Sequence, residues 1–582
     1  MPSDSTSSRW APARRLLPFA GWSRPTTGSL RADLIAGCVV TLVLVPQSMA
    51  YAALAGLPPY YGLYAAFLPV IAAAVWGSSP QLATGPVAVV ALLTASALTP
   101  LAEPGSGEFI TLAIALAFLV GVIQLVLGLI SLGTLVNFLS HPVILGFTNA
   151  AAIVIALSQL KDLLGVPMER GGSFLVGVAG VLGRLPETHL PTLAFGLTAI
   201  AIMVAVRRWL PRIPGVLAAV VILTPASYLI GFEAMGGRVV GEIPQGLPTP
   251  ALPSLDVGAV ATLMTTAAVI ALVGFMEAIS IAKAIAARTR DRIDPNQELV
   301  GQGLANLAAG FAQAFPVSGS FSRTAVNYNA GARTGLASVF TGLLVALTLL
   351  LLTPLLYHLP LSVLAAIIVM AVAGLIHLQV VPRIWRTHRH DGAAVATTFV
   401  ATLAFAPHLD YGIMLGAALA IILYLYRSMR PRTVILSRHP DGTLRDARRF
   451  GLRESKHIVA LRFDGALYFG NVGHLEDVVL QANNEYPKAR FLILVGDGIN
   501  AIDSSGVETL HALRERLHDN GITLVLAGMK LQVLETMKRA GLCEEIGGEN
   551  IFRNEDEAIL AIHGRIEDPD FDPDECPLAP IH

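Results

Sequence analysis

The chain has 582 residues, of which 54% are hydrophobic and only 14% are charged, and its formal net charge is −1. Soluble domains carry about 25% charged residues, so this composition indicates a membrane protein and excludes a wholly soluble one. The net charge carries no information about partners, and we expect no nucleic acid to bind. The three cysteines, Cys38, Cys543 and Cys576, lack metal-ligand spacing, so neither a disulfide framework nor a metal site is expected.

The charged residues are concentrated in the C-terminal part of the chain. Between Leu34 and Leu160 only Glu103 and Glu108 are charged, whereas the C-terminal part is as charged as a soluble domain. This asymmetry predicts a transmembrane domain over residues 31–430, followed by a water-exposed domain.

Twelve apolar segments are candidates for membrane-spanning helices, which need roughly 20 mostly apolar residues. They are 33–50, 62–77, 108–130, 141–160, 190–206 and 214–232 in the first half, and 258–286, 296–312, 334–356, 359–377, 392–408 and 411–429 in the second. We therefore expect an all-α polytopic membrane domain.

Two further apolar segments are shorter and begin on Gly, Pro and Ser residues. They are 85–99, after "SSPQLATGP", and 319–331, after "FPVSGS", and each is third in its half of the domain. Counting them gives fourteen segments, seven on each side of a hydrophilic break near residues 233–257. Interrupted helices in matching positions are typical of inverted-repeat transporters with a binding site at the midplane. The sequence therefore predicts a 7+7 inverted repeat, with repeats at about 31–235 and 256–430.

Loop charges predict the orientation of the domain, because arginine and lysine are enriched in cytoplasmic loops. Placing both termini in the cytoplasm puts nearly all of the arginine-rich loops inside and the acidic "LAEPGSGE" loop outside. The cytoplasmic arginines are then Arg207, Arg208, Arg212, Arg288, Arg290, Arg292, Arg333, Arg383, Arg386 and Arg389. One loop, "KDLLGVPMERGG", would place mixed charge outside. Residues 1–30 lack a signal-peptide pattern and are expected to remain as a cytoplasmic segment of a multi-pass protein in the cell (inner) membrane.

The region after residue 430 has the pattern of a small α/β domain. The runs "HIVALRF", "FLILVGDG" and "ITLVLAG" are predicted strands, and "GVETLHALRERLHDNG" and "KLQVLETMKRAGL" are predicted helices. We expect this domain to cover 431–566, followed by a loose acidic tail at 567–582.

The two short segments are predicted to be half-helices whose N-termini face a cavity inside the membrane. Gly85 lets the backbone turn and Pro86 suits the first helical turn, while Ser318 or Ser320 can cap the second half-helix. Two such N-termini can bind an anion without any lysine, because each presents unpaired N–H groups and the positive end of the helix dipole. The alternative is a pair of re-entrant or kinked helices with ordinary capping serines.

Two ionisable residues within these apolar segments are candidates for transport chemistry, since such residues are costly in a membrane and usually functional. Arg323 can hold part of the charge of a bound oxyanion, because guanidinium suits such ligands; the alternative is an arginine that reaches the cytoplasmic surface. Glu277, with Ser280 on the same helix face, is the candidate for proton coupling. The alternative for Glu277 is a structural ion pair with Arg323 or Lys283.

Polar side chains on the first helix suit a ligand contact. Gln47 and Tyr51 are four residues apart and share a face in "LVPQSMAYAALAGLPPYYGLY". The alternative is hydrogen bonding between helices.

The sequence resembles the sulfate permease (SulP) family of anion transporters, to which prestin and pendrin belong. The resemblance is carried by "DLIAGCVVTLVLVPQSMAYAALAGLPPYYGLYAAFLP", "ELVGQGLANLAAGF", "GSFSRTAVNYNAGA" and "MEAISIAKAIAARTRDRIDPNQEL". It implies a uracil-permease-like fold, in which a core domain containing segments 1, 3, 8 and 10 moves against a gate domain in an elevator motion. Proton-coupled members carry a glutamate where Glu277 stands. Sodium-coupled members carry an aspartate with a nearby threonine, whereas this chain has Ile281 a turn later, so we expect a proton and not sodium as the coupling ion.

The same resemblance implies where the anion binds and how the chain assembles. The anion would lie between the half-helix N-termini, near Gln47, Tyr51, Ala83, Gly85, Ser320, Phe321 and Ser322. A homodimer in the lipid bilayer is also implied.

The C-terminal domain resembles a STAS domain, the fold of bacterial anti-sigma-factor antagonists. The match lies in "INAIDSSGVETLHAL", where Ser505 aligns with the serine that antagonists present for phosphorylation. The alternative is that Asp503, Ser504 and Ser505 simply cap the next helix. The domain is expected to serve dimerisation, trafficking or the docking of a cytoplasmic protein.

The resulting hypothesis is a secondary transporter that moves an inorganic oxyanion, sulfate, together with a proton. One alternative keeps the architecture and carries bicarbonate or a dicarboxylate, as transporter or exchanger. A different class would be a membrane receptor that signals anion occupancy through the STAS domain. No enzyme activity or cofactor is expected, because the sequence has no phosphate-binding Gly-rich loop, metal cluster or nucleophile–base pair.

Overall fold

The computed structural model describes residues 18–21, 26–133, 140–168, 174–210, 213–253, 257–406, 408–569 and 571–580. Contacts divide the chain into two compact units, Met1–Ala420 and Ile421–His582. Most of the predicted N-terminal segment, Arg212, and parts of the "KDLLGVPMERGG" loop and of the acidic tail lie outside the described residues.

The first unit is built from helices on both sides of the hydrophilic break. Before the break they are α1 (Thr27–Leu54), α2 (Tyr60–Tyr64), α3 (Leu68–Trp76), α4 (Ala88–Leu98), α5 (Gly107–Leu129), α6 (His141–Ser158), α7 (Leu160–Leu164), α8 (Phe174–Gly183), α9 (Leu190–Trp209) and α10 (Gly215–Ile230). After it come α11 (Val257–Thr289), α12 (Pro295–Phe311), α13 (Phe321–Asn329), α14 (Leu336–Leu347), α15 (Leu361–Ala373), α16 (Val381–Thr387), α17 (Arg389–Ala404) and α18 (Leu409–Ser428), whose residues from Ile421 onward belong to the second unit. Among the described residues, eight helices are long and apolar enough to cross a membrane.

The predicted polytopic helical fold is confirmed, and each of the fourteen predicted segments contains a helix. Several details differ, and three of them concern the predicted spans and their connections. The segment 62–77 is divided between α2 and α3, because the chain bends at Phe67 before a proline enters the first turn of α3. The segment 334–356 continues beyond α14 as π and 3₁₀ turns, the latter containing Pro354. Helix α8 was not predicted, because ten apolar residues are too few to span a bilayer.

A two-stranded sheet lies inside the helical unit, which the sequence did not predict. Strands β1 (Thr84–Gly85) and β2 (Ser318–Gly319) pair antiparallel, with Thr84 opposite Gly319 and Gly85 opposite Ser318. Backbone polar groups inside a membrane must find hydrogen-bond partners within the protein. The segments before the two half-helices provide some of these partners by pairing with each other. The pairing places the starts of α4 and α13 side by side.

Helix α12 packs closely against α5 through glycines. A Cβ added at Gly121 would lie 2.5 Å from the backbone N of Leu307, and one added at Gly303 would lie 2.6 Å from the backbone N of Leu125. Small residues allow such close approach of membrane helices, which associate mainly by packing. The position of α12 is therefore tightly fixed against α5.

The second unit is an α/β domain with a six-stranded sheet in the order β4-β3-β5-β6-β7-β8. The strands are β3 (Arg432–Arg438), β4 (Leu444–Asp446), β5 (Ile458–Asp464), β6 (Phe491–Val495), β7 (Thr523–Ala527) and β8 (Ile551–Phe552). The helices are α19 (Ala447–Phe450), α20 (Val472–Glu485), α21 (Ser504–Asp519), α22 (Leu531–Arg539), α23 (Leu542–Ile546) and α24 (Glu555–His563). Strands β5 to β8 are parallel, and β3 is antiparallel to both β4 and β5.

Alternation along the central strand explains how this sheet is covered on both faces. Leu492 and Leu494 belong to one apolar cluster, and Phe491, Ile493 and Val495 belong to the other. Successive side chains of a strand point to opposite faces, so this fully apolar run buries both faces. The three predicted strands and two predicted helices of this domain are all present.

Candidate functional site

The second half-helix, α13, begins with a serine cap. Ser320 Oγ accepts a hydrogen bond from the Arg323 amide at 3.4 Å, and the Ser320 amide donates to the Ala83 carbonyl at 2.9 Å. Of the two predicted capping residues, the structure therefore selects Ser320. Ser318 instead donates its hydroxyl to the Gly274 carbonyl on α11 at 2.7 Å.

The first half-helix, α4, begins without a side-chain cap. Its N-cap residue is Val87, which has an extended backbone and no hydroxyl to offer. Pro86 precedes this N-cap, so the expectation that it occupies the first helical turn is wrong. The first amides of α4 receive no capping side chain, and such groups are obligatory hydrogen-bond donors.

Gly85, in β1, lies directly against the arginine of the other half-helix. Its φ of +148° is one that only glycine adopts readily. A Cβ added there would lie 3.2 Å from Nη2 of Arg323. The glycine therefore serves both the turn before α4 and the close approach of the guanidinium.

Arg323 is completely buried, with 0% of its surface exposed. Its Nη1 donates to Oε1 of Gln47 on α1 at 3.2 Å, whereas Nε and Nη2 have no hydrogen-bond partner. The alternative in which this arginine reaches the membrane surface is therefore wrong. A buried guanidinium with two unpaired nitrogens leaves donors and charge for a ligand.

Gln47 and Tyr51 are both buried on α1, with exposed fractions of 4% and 5%. The bond from Arg323 to Gln47 joins α13 to α1, so the alternative of bonding between helices applies to Gln47. Tyr51 lies near enough to Arg323 and Glu277 for electrostatic interaction with both.

Glu277 lies on α11, and its Oε2 is buried without a hydrogen-bond partner. Within the described residues it forms no ion pair with Arg323 or Lys283, and Lys283 is exposed. Ser280 is also exposed and is not hydrogen-bonded to Glu277 in the described part of the chain. Glu277 therefore remains a carboxylate without a compensating cation in direct contact, although Arg323 lies within electrostatic reach.

The first turn of α13 is open, in contrast to the arginine behind it. Phe321 is 63% exposed, and Ser322 is also exposed. Ala83, on the β1 side, is buried and donates its amide to Oγ1 of Thr324 at 3.0 Å. Thr324 is fully buried and was not among the predicted site residues. A ligand can therefore approach Phe321 and Ser322 directly.

Sequence reasoning also missed a line of polar residues on α12 that supports both half-helices. Glu298, Gln302 and Asn306 are spaced by four, so they lie on one face of the helix. All three are buried, with exposed fractions of at most 1%. The signal was available in "ELVGQGLANLAAGF", where three polar residues recur at helical spacing, but the sequence does not show what they contact.

Glu298 fixes the segment that leads into β1 and α4. Its Oε2 accepts hydrogen bonds from the amides of Ser78 and Ser79 at 2.8 and 3.0 Å and from the Ser78 hydroxyl at 3.0 Å. Its Oε1 accepts from Nε2 of Gln302 at 3.3 Å, and Gln302 also donates to Oγ1 of Thr84 in β1 at 2.9 Å. Because bonds to a carboxylate are charge-assisted, this is a strong clamp.

Asn306 fixes the segment that leads into β2 and α13. Its Oδ1 accepts from the Val317 amide at 2.8 Å, and its Nδ2 donates to the Val317 carbonyl at 3.0 Å. The same Nδ2 lies 3.0 Å from Oε1 of Gln124 on α5. One face of α12 therefore holds the approach to both half-helices.

The predicted regulatory serine lies at the start of α21, where Asp503 forms the cap. Asp503 Oδ1 accepts from the Gly506 amide at 2.8 Å, and Oδ2 accepts from the Phe469 amide at 3.0 Å. Ser504 is exposed and Ser505 is half-buried. The capping alternative thus applies to Asp503, and phosphorylation of Ser505 stays a prediction.

The site as a whole combines two helix N-termini, a buried arginine and a carboxylate without a direct partner. Within the described residues, no group of three or more His, Cys, Asp or Glu side chains could hold a metal ion. This arrangement can bind an anion by amides, hydroxyls and one guanidinium, and it can take up a proton at Glu277.

Known proteins share this architecture. The sulfate permease family matches residues 30–398, and the STAS domain matches residues 449–558. The chain is 36% identical over 567 residues to "Sulfate transporter 4.1, chloroplastic" of Arabidopsis thaliana, covering 94% of this chain and 82% of that protein. It is 33% identical over 563 residues to "Probable sulfate transporter MT1781" of Mycobacterium tuberculosis, covering 96% and 99%.

A solved structure shows the same fold. Murine Slc26a9, described as an anion transporter in the inward-facing state, matches with a TM-score of 0.88 at 24% identity, covering 96% of both chains. The chain belongs to the sulfate permease family, and it is a multi-pass membrane anion transporter with a C-terminal STAS domain, not an enzyme.

Proposed function

We propose that the protein is a secondary active transporter that carries sulfate together with a proton. The observation that carries this proposal is Arg323, which is fully buried behind the exposed first turn of α13 with two unpaired guanidinium nitrogens. The names of the similar proteins from Arabidopsis and Mycobacterium support sulfate as the anion.

The charges of the site suit a divalent anion. Arg323 contributes one positive charge, and each helix N-terminus contributes about half a charge. Together they approximately balance the two negative charges of sulfate. We propose that the anion lies near Gln47, Tyr51, Ala83, Gly85, Ser320, Phe321 and Ser322, where the hydroxyls of Tyr51 and Ser322 and the ring of Phe321 can contact it.

The same charges give a physical reason for proton coupling. An ionised Glu277 would oppose the dianion, because it lies within electrostatic reach of Arg323 and has no direct cation partner. Protonation removes that negative charge and favours sulfate binding. The anion and the proton would therefore bind together, and we expect the coupling to use a proton and not sodium.

Movement of the site is proposed to follow an elevator mechanism. Glu298, Gln302 and Asn306 attach the segments before both half-helices to α12. The two N-termini are thereby held at a fixed separation, which suits transport of the site as a rigid body against a second domain. We further propose a homodimer in the cell (inner) membrane with both termini in the cytoplasm, and a STAS domain that docks a cytoplasmic partner protein.

The test is uptake of radiolabelled sulfate into proteoliposomes that contain the purified full chain. Three conditions are compared: an inward proton gradient, no gradient, and an inward sodium gradient at equal pH. We expect accumulation with the proton gradient alone, blocked by excess unlabelled sulfate.

Two outcomes would contradict parts of the proposal. Uptake of labelled bicarbonate or succinate in place of sulfate would keep the site and change the substrate to the alternative. Binding of sulfate without any uptake or exchange would favour the anion-sensing receptor.

A further inference from the structure

A cavity of about 650 Å³ lies beside the C-terminal end of α18. All of its lining residues lie between Tyr424 and Asn471 and so belong to the second unit. Three of them are arginines within six residues of each other: Arg427, Arg430 and Arg432. The transport site does not use these residues.

The lining contains three arginines and one carboxylate, Asp464. Arg432 forms an ion pair with Asp446 at 2.7 Å, and the lining carboxylate Asp464 is held by Arg462 at 2.9 Å. Arg430 forms no ion pair within the described residues, and its guanidinium lies 5.6 Å from the ring centre of Tyr426. A guanidinium without an acidic partner in an open cavity attracts anions, and its planar fork matches phosphate.

The cavity lies at the end of a helix that is long enough to span a membrane, which indicates a position near the headgroup region. α18 is long and apolar enough to cross a bilayer, and it ends at Ser428, next to the arginines. Tyr424 and Tyr426 on its last turns are 71% and 53% exposed. Exposed tyrosines at the end of a membrane helix are typical of the headgroup region, and arginines just beyond it attract anionic lipids.

Hydrogen bonds fix one wall of the cavity. The Tyr468 hydroxyl donates to Oγ of Ser428 at 2.8 Å, and Nδ2 of Asn471 donates to the Ala466 carbonyl at 2.7 Å. Nε2 of His474 lies 3.1 Å from the Pro431 carbonyl. The cavity is therefore a preformed feature of this unit, which lowers the entropic cost of binding a ligand.

We propose that this cavity binds the phosphate group of an anionic phospholipid, with Arg430 as its principal ligand. Arg427 lines the same cavity, Arg432 is held by Asp446, and Tyr424 and Tyr468 flank the glycerol and acyl region. The protein would then have a lipid site at the cytoplasmic end of its last membrane helix, separate from its substrate site.

The test uses the purified full chain in detergent and short-chain dioctanoyl phosphatidylglycerol, with binding counted by native mass spectrometry. We expect Arg430→Gln to weaken binding by about ten-fold, the effect of losing one charge-assisted contact. Arg430→Lys keeps the charge but loses the fork, and it should fall between the wild type and Arg430→Gln. The matched control is Arg453→Gln, since Arg453 is exposed, lies outside the cavity and forms no ion pair in the described residues.

Three comparisons decide between the outcomes. Zwitterionic dioctanoyl phosphatidylcholine should bind more weakly, and inorganic phosphate at the same concentration should not displace the anionic lipid. Equal binding by Arg430→Gln and Arg453→Gln would overturn the proposal. Displacement by inorganic phosphate as effective as that by lipid would overturn the lipid assignment and identify a soluble phosphate site. If Arg430→Gln does not fold, Arg430→Lys replaces it in the test, and lipid binding equal to that of the wild type in Arg430→Lys would then overturn the proposal.

Discussion

The two half-helix starts occupy matching places in the two halves of the membrane domain, yet they offer a ligand different chemistry. α4 begins at a buried, uncapped Val87 and supplies backbone amides only. α13 begins at a capped and partly open turn that carries Ser320, Ser322 and Arg323. The two halves therefore share a half-helix start that presents backbone amides, whereas only the second half adds a charged side chain.

The largest expected effect on sulfate uptake comes from removing the positive charge of Arg323 on α13. Arg323→Gln should reduce sulfate uptake by about 100-fold or more, because two charge-assisted hydrogen bonds at about 1.5 kcal/mol or more each are lost. The control is Arg333→Gln, which removes an exposed arginine just after the same helix. Uptake of radiolabelled sulfate is measured for both variants at equal protein density. Similar losses of uptake in the two would contradict a specific role for Arg323.

The second prediction separates anion binding from proton coupling. Glu277→Gln should abolish proton-driven accumulation, because the neutral amide mimics the protonated carboxylate permanently. Sulfate–sulfate exchange at equal pH should stay within about a few-fold of the wild type, since Arg323 and both helix ends remain. Glu108→Gln, at an exposed position at the start of α5, is the control. Unchanged accumulation in Glu277→Gln would remove this residue from coupling.

The third prediction compares the supports of the two half-helices. Glu298→Gln weakens the clamp on the α4 side, and Asn306→Ala removes the clamp on the α13 side. Each should lower the free energy of unfolding by about 1–3 kcal/mol, the cost of leaving buried donors unsatisfied. Each should also lower uptake by about ten-fold by misplacing an N-terminus.

Thermal unfolding and sulfate affinity, measured on the same preparations, check this prediction. Destabilisation without any change in sulfate affinity would mean that α12 supports the fold and not the site.

The smallest expected effect concerns a single hydroxyl on the exposed turn of α13. Ser322→Ala should weaken sulfate binding by about five-fold, the loss of one hydrogen bond of roughly 1 kcal/mol. Ser504→Ala, which removes an exposed hydroxyl at the start of α21, should leave the affinity unchanged. Equal affinities in the two variants would argue against a ligand at the first turn of α13.

Much of the architecture could be predicted because membrane helices are recognisable from short, local stretches of sequence. A spanning helix needs a continuous apolar run, and the half-helices are revealed by Gly, Pro and Ser at 85–99 and 319–331. The short helix α8 was not predicted because its ten residues are too few for the apolar run of a spanning helix. The choice of Ser320 over Ser318 as cap was also open, since both residue types and positions suit the role.

The sequence by itself determined the membrane class, the two matching interruptions and the residue types at the site, because hydropathy and helix-breaking residues act over a few positions. Only the tertiary structure decided that Arg323 is fully buried against Gln47 and Gly85, and that α12 holds both half-helices through Glu298 and Asn306. These contacts join residues up to 276 positions apart. Such distant pairings depend on how the helices pack in three dimensions, and a linear pattern of residues does not contain that information.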